Sequence, residues 1–382
     1  MISRKVTGIT PFIVMEVLER AAEMEKKGIK VIHLEVGEPD FDVPSCVSQA
    51  VQVAFKQGRT HYTHSLGDPE LRKEIARKYK QTYQVTVNPD QIIVTSGSSP
   101  AILLALSVLC EDNDEVIVSD PGYACYPNFI KYIGAKAVKV PVFEDEGFQY
   151  RPSEIKNYIT DRTRAIMINS PMNPTGNLLS KEVMEQLASL GQMIISDEIY
   201  HGLVYEGRAH SILEFTDNAF VLNGFSKLYA MTGLRLGYVI APPRFVRVMQ
   251  KLQQNLFICA GSTAQRAGIA ALLYANDDVA RMKLTYNERR KYIIKRITDL
   301  GFKIKVKPTG AFYVFVNVKH LSSDSYKLAF DILEKAHLGV TPGIDFGENG
   351  EGFLRFSYAN SLENIMEGMN RFEDYLKKYH FL

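Results

Sequence analysis

The chain has 382 residues, of which 46% are hydrophobic and 23% charged, with a formal net charge of +2. That length suits two domains of roughly 100 to 200 residues, and the balance excludes a disordered chain and gives no reason for a nucleic-acid or membrane partner. Four scattered cysteines (Cys46, Cys110, Cys125, Cys259) without CxxC spacing, no signal-peptide core and no apolar run near the roughly 20 residues of a membrane span lead us to expect reduced, buried thiols, no metal and a cytoplasmic location.

Thr10-Pro11, the stretch 12–27 and then Gly28 carry the signals of a helix: a capping hydroxyl, proline in the first turn and glycine past the end. A second helix opens at Asp68-Pro69-Glu70. From about residue 90 the pattern changes to short apolar runs at 92–95, 116–119, 137–140, 165–168, 193–196, 220–222 and 236–240. Several alternate with helix-like segments such as 101–109 and 181–190. They are expected to be seven buried strands of a mostly parallel α/β sheet covered by helices, with the ligand gathering at loops beyond the strand ends. After about residue 280, a long helical pattern at 279–300 and shorter strands at 312–316 and 353–356 read as a second, α+β domain.

Four segments could carry chemistry. Strand 92–95 runs into Ser96-Gly97-Ser98-Ser99-Pro100 and an apolar helix. Glycine lets backbone approach an anion, and a helix N-terminus offers free N–H groups, which suits a phosphate; a routine Gly-Ser helix cap would read the same. Asn173, between Pro171 and Pro174 after strand 165–168, is presented in an extended loop, although a bare Asn-Pro turn would read the same. Asp197 emerges from an apolar strand, is poorly solvated and needs a cationic partner, with Tyr200 able to reach the same side; a helix-capping aspartate with a packed tyrosine would read the same. Lys227 follows the apolar run 219–222 and precedes Arg235 by eight positions. Desolvation and a fixed positive charge both depress an amine's pKa and favour Schiff-base chemistry.

With these motifs in this order, from Leu34-Glu35-Val36-Gly37-Glu38-Pro39-Asp40-Phe41 to Leu354-Arg355-Phe356-Ser357, the chain resembles the class I/II pyridoxal-phosphate (PLP) aminotransferases, the aspartate aminotransferase superfamily. The resemblance implies the type I PLP-transferase fold: an N-terminal arm and part of the small domain at 1–45, a large PLP-binding domain at 46–280 and a C-terminal small domain at 281–382. It implies that Lys227 is the Schiff-base lysine and proton shuttle, that Asp197 pairs with the ring nitrogen, and that Asn173 and Tyr200 bond the phenolate oxygen. It implies a phosphate site of Gly97, Ser98, Ser99, Ser226 and Arg235, a ring-stacking Tyr123, and a substrate carboxylate clamp of Arg355 closed by Gly37. Tyr62 matches a tyrosine that reaches the phosphate of a neighbouring subunit, implying a homodimer. The implied reaction is ping-pong transamination between amino acids and 2-oxo acids; a PLP-dependent β-lyase on the same fold, or a PLP-binding sensor without turnover, are the competing outcomes.

Three positions depart from the family pattern. Gly224 stands where many relatives carry a serine, and Leu234 replaces a common tryptophan. Ser99 occupies the place of a lysine that contacts the side-chain carboxylate in one bacterial aspartate-specific subgroup. That contact is missing here, and only arginines or lysines elsewhere, including those of a partner subunit, could replace it.

Overall fold

The fold was obtained as a computed structural model, and the structure describes residues 2–379. Twelve strands occur among them: β1 (Ile32–His33), β2 (Ile92–Thr95), β3 (Glu115–Asp120), β4 (Lys136–Pro141), β5 (Thr163–Asn169), β6 (Met193–Asp197), β7 (Ala219–Gly224), β8 (Gly237–Ile240), β9 (Tyr313–Asn317), β10 (Leu338–Gly339), β11 (Thr341–Pro342) and β12 (Phe353–Ser357).

The seven expected strands all lie in one sheet, in the order β2-β8-β7-β6-β5-β3-β4. Neighbours pair parallel except at β8, which is antiparallel to both β2 and β7. Six strands therefore end at one edge, and β8 begins there. Alternate residues serve opposite faces, as the pleat requires. Val221 joins one apolar cluster while Phe220 and Leu222 join the other. Burial is not uniform, contrary to expectation. At the β4 edge Lys136 and Lys139 are exposed, whereas β2, the opposite edge, is buried because Val94 N–H donates to the Leu66 carbonyl (3.0 Å) of a covering segment. An edge strand needs such a cover, or charge, to avoid pairing with another chain.

The smaller sheet is antiparallel, ordered β11-β12-β9, and places Arg355 between Thr341 and Phe315. Its Val314, Val316, Leu354 and Phe356 belong to the same apolar cluster as Val94 and Val221 of the large sheet. The two sheets thus share one core.

The first expected helix is present at Ile13–Glu25, but its cap differs from the sequence reading. Thr10 bonds Asn128 instead, and the Asp345 carboxylate accepts from the free N–H groups of Ile13 (2.9 Å) and Val14 (3.2 Å). The helix opening at Asp68 runs Pro69–Tyr83, with Glu70 N–H donating to Asp68 Oδ1 at 2.9 Å. The long helix spans Asn276–Asp299. All four cysteines are free, though half-buried rather than buried. No helix among the described residues is long and apolar enough to cross a membrane.

Candidate active site

The active edge of the large sheet collects the chemistry-bearing loops. Asp197 and Asn169 are the last residues of β6 and β5, Asn173 and Tyr200 follow shortly after, Tyr123 lies three residues beyond β3 and Lys227 three beyond β7. Together with Gly37, Ser98, Ser99 and Arg355, these residues line one cavity of about 200 Å³.

Lys227 donates from Nζ to the Gly37 carbonyl at 2.6 Å, and its Nζ lies 6.0 Å from the Phe312 ring centre. Burial, joined by the positive fields of Arg355 and Arg235, pulls its pKa down from 10.5 to about 8, although Glu38 and Asp197 act in the opposite sense. Asp197 accepts from the Tyr126 hydroxyl at 2.6 Å and from the Ile199 N–H at 3.1 Å. Burial raises its pKa to about 6, against the pull of these hydrogen bonds and of Lys227. Glu198 and His201 of the same segment turn into the core. Burial pushes Glu198 up to about 8 and His201 down to about 3. Glu198 accepts from Ser211 Oγ (2.9 Å) and Ile212 N–H (3.0 Å), so its place is structural.

Arg355 is 2% exposed. It donates to Asn173 Oδ1 (2.8 Å), the Glu35 carbonyl (2.5 Å) and Thr341 Oγ1 (3.1 Å), and its Nε has no partner. Its guanidinium sits 4.4 Å from the Tyr313 ring centre and 4.9 Å from that of Phe346. A buried cation held only by neutral groups is costly unless an anion completes it. Asp197 presents the reverse case, a buried carboxylate held by neutral donors. One site therefore offers places for an outside anion and an outside cation.

The segment expected to hold a phosphate combines a glycine, an arginine and a helix N-terminus. Gly97 adopts φ +100°, and a Cβ there would lie 2.6 Å from Arg235 Nη2, so only glycine admits the guanidinium beside the N-terminus of helix Ser98–Leu109. Ser226 is buried outside the cavity lining, and Tyr62 stands apart at 80% exposure. Sequence reasoning missed several participants: Tyr126, which bonds Asp197; Tyr313, whose hydroxyl is 2.8 Å from that of Tyr200; and the wall formed by Phe12, Val14, Met15 and Leu18. For that wall a signal existed, because 12, 15 and 18 add an apolar stripe beside the core positions 14, 17, 21 and 24.

The family model for aminotransferase class I and II matches residues 29–372. The chain belongs to this family. A (5-formylfuran-3-yl)methyl phosphate transaminase of Methanocaldococcus jannaschii is 42% identical, covering 99% of this chain and 100% of the relative. The aspartate aminotransferase of Pyrococcus horikoshii is 40% identical, covering 98% and 97%. A solved structure from Methanococcus jannaschii, described as similar in its active site to kynurenine aminotransferases, superposes with a TM-score of 0.91 at 41% identity, covering 98% of this chain and 100% of that one. The protein is thus a PLP-dependent transaminase of the type I PLP fold. The cofactor suits the residues present: a glycine cradle with an arginine for phosphate, a depressed lysine for its carbonyl and a buried carboxylate for its ring nitrogen.

Proposed function

We propose that the enzyme transfers amino groups between amino acids and 2-oxo acids in two half-reactions that share this one site. The observation that carries the reading is the convergence of a depressed lysine, a buried carboxylate and a buried arginine without an anionic partner on a single cavity. When bound, PLP supplies a carbonyl that takes the amino group and a protonated ring that draws electrons from the substrate Cα. Asp197 holds the proton at the ring nitrogen. Gly97, Ser98, Ser99 and their helix N–H groups would hold the phosphate with Arg235 and Ser226, while Tyr123 would pack on the ring and Asn173 and Tyr200 would serve its phenolate oxygen. Arg355 orients the substrate α-carboxylate in a forked, charge-assisted contact, with Gly37 closing over it. Lys227 would take the proton from the substrate Cα and return it on the cofactor side; at a pKa of about 8 it is near the range where a base can do both.

The active unit in this reading is a homodimer in the cytoplasm, with Tyr62 reaching the neighbouring site. Tyr62 is 80% exposed, which leaves its ring free to meet a second copy of the chain.

The test is Lys227→Ala. Its expected outcome is loss of the cofactor's protein-linked absorbance and a fall in transamination of about 10⁴-fold, the upper range for a lost acid-base group. Retention of activity overturns the reading. Pyruvate and ammonia formed by the wild-type enzyme from a cysteine S-conjugate without any 2-oxo acid would instead identify a β-lyase. The acceptor panel includes (5-formylfuran-3-yl)methyl phosphate, the compound named for the 42%-identical relative.

A further inference from the structure

Resting on the transaminase reading, we propose that the preferred amino donor carries a large uncharged side chain, of the aromatic type, received by the helix Ile13–Glu25. Arg355 Nη2 bonds the carbonyl of Glu35, and Lys227 Nζ bonds that of Gly37, two residues along the same segment. A substrate whose carboxylate meets Arg355 and whose amine lies at Lys227 is therefore held beneath residues 35–37. Its side chain then faces the rest of the lining, where Phe12, Met15, Leu18, Val36 and Ile102 converge.

That wall is apolar, and its one aromatic ring, Phe12, meets the Tyr123 ring edge-on at 6.2 Å. Met15 is 46% exposed, while Phe12 and Leu18 are half-buried at the cavity. Such groups favour an occupant that removes them from water, and they offer nothing to a carboxylate. The charges this protomer gives the cavity lining are Asp197, Lys227 and Arg355, all engaged by the cofactor or by the α-carboxylate in the reading above. In the adjoining cavity, Glu16, Asp120, Asp345 and Glu348 stand with Lys131 and Lys139. Of the two lysines, Lys139 lies 3.9 Å from Glu348, and Lys131 Nζ packs against Gly8. Acidic groups outnumber basic ones there, so this neighbour does not favour a second substrate carboxylate.

The test has two readouts. In single-turnover conversion of the PLP-loaded enzyme, the second-order rate constants for phenylalanine and tyrosine are expected to exceed those for aspartate and glutamate by about tenfold or more, the scale of discrimination an apolar pocket achieves. In equilibrium titration, 3-phenylpropionate is expected to bind at least about tenfold more tightly than succinate, on the same footing. Met15→Lys, at a half-exposed position that folding tolerates, is expected to shift that ratio toward succinate by about tenfold. A rate led by aspartate, succinate binding as tightly as 3-phenylpropionate, or an unchanged ratio in Met15→Lys overturns the side-chain assignment alone. Failure of every amino acid to react, alanine included, overturns the amino-acid half-reaction and this inference with it.

Discussion

Arg355 shows how much one side chain can imply. Its three hydrogen bonds go to an amide oxygen, a carbonyl and a hydroxyl, leaving a buried positive charge without a counter-charge at bonding distance. Hydrogen bonds to charged groups contribute about 1.5–3 kcal/mol each, or roughly 10- to 100-fold. Arg355→Lys keeps the charge but loses the fork, so kcat/KM should fall within that range, mainly through KM; an unchanged KM would place the substrate carboxylate elsewhere. Lys227 gives a second prediction at this scale. Only the neutral amine attacks a carbonyl, so PLP uptake by apo-protein should accelerate with pH to a midpoint near the about 8 to which burial brings the lysine. A stopped-flow midpoint near 10.5, the ordinary lysine value, would contradict the depressed amine. Lys227, Asp197 and Asn173 were legible in the sequence because each sits at or just beyond a strand end, whereas Arg355, in the middle of β12, was legible only through the family resemblance. Tyr126 and Tyr313 were not, since a tyrosine inside a helix or strand looks like packing until its hydroxyl is seen to meet Asp197 or Tyr200.

Among the elements, the helix Ile13–Glu25 ties substrate contact to long-range capping. Its apolar periodicity and its stop before Gly28 were readable locally, but the cap was not. The carboxylate that serves Ile13 and Val14 belongs to Asp345, more than 300 residues away in sequence. Thr10, the local candidate, is occupied with Asn128, and only tertiary structure decides between them. Asp345→Ala should cost about 1 kcal/mol, the usual value of a lost cap. Hydrogen exchange at Ile13 and Val14 should rise ahead of the rest of the helix. Equal exchange in wild type and variant would mean that the cap contributes nothing. The seven strands were legible because buried parallel strands read as continuous apolar runs. The reach of β3 to β7 was underestimated, since polar end residues such as Asp120, Asn169 and Asp197 still pair in the ladder, while β2 was read with its observed ends and β8 begins one residue later than expected.

For the whole molecule, the helix Ile13–Glu25, β1 and the segment 35–37 are joined by His33. Its Nδ1 lies 2.6 Å from Glu35 and its Nε2 3.1 Å from Glu25. The bond to Glu35 leads in raising its pKa from 6.5 to about 9, with burial opposing. A raised folded-state value means that the stabilisation is complete below pH 6.5, the ordinary histidine value, and is lost as pH climbs through about 9. The urea midpoint of the wild type should therefore decline between these limits more steeply than that of His33→Gln. Parallel declines would remove His33 from the account.

The reversed direction of β8 has a consequence for which changes the chain can absorb. Residues 225–236 leave the sheet at Gly224 and return at Gly237, its ladder partner, so both ends of this connection are pinned to each other. A Cβ on Gly237 would fall 2.5 Å from the carbonyl carbon of Gly97, which holds the return point against the phosphate loop as well. Lys227 and Arg235 thus share a clasp of fixed circumference. A one-residue insertion between them has room only at the exposed turn of Gly233, where a Cβ meets nothing within 4 Å, and would shift the lysine relative to the arginine; the same insertion at the solvent-facing turn of Gly191 leaves both in place. The spacing of eight between lysine and arginine is therefore a mechanical dimension of the enzyme, as constrained as the chemistry of either side chain.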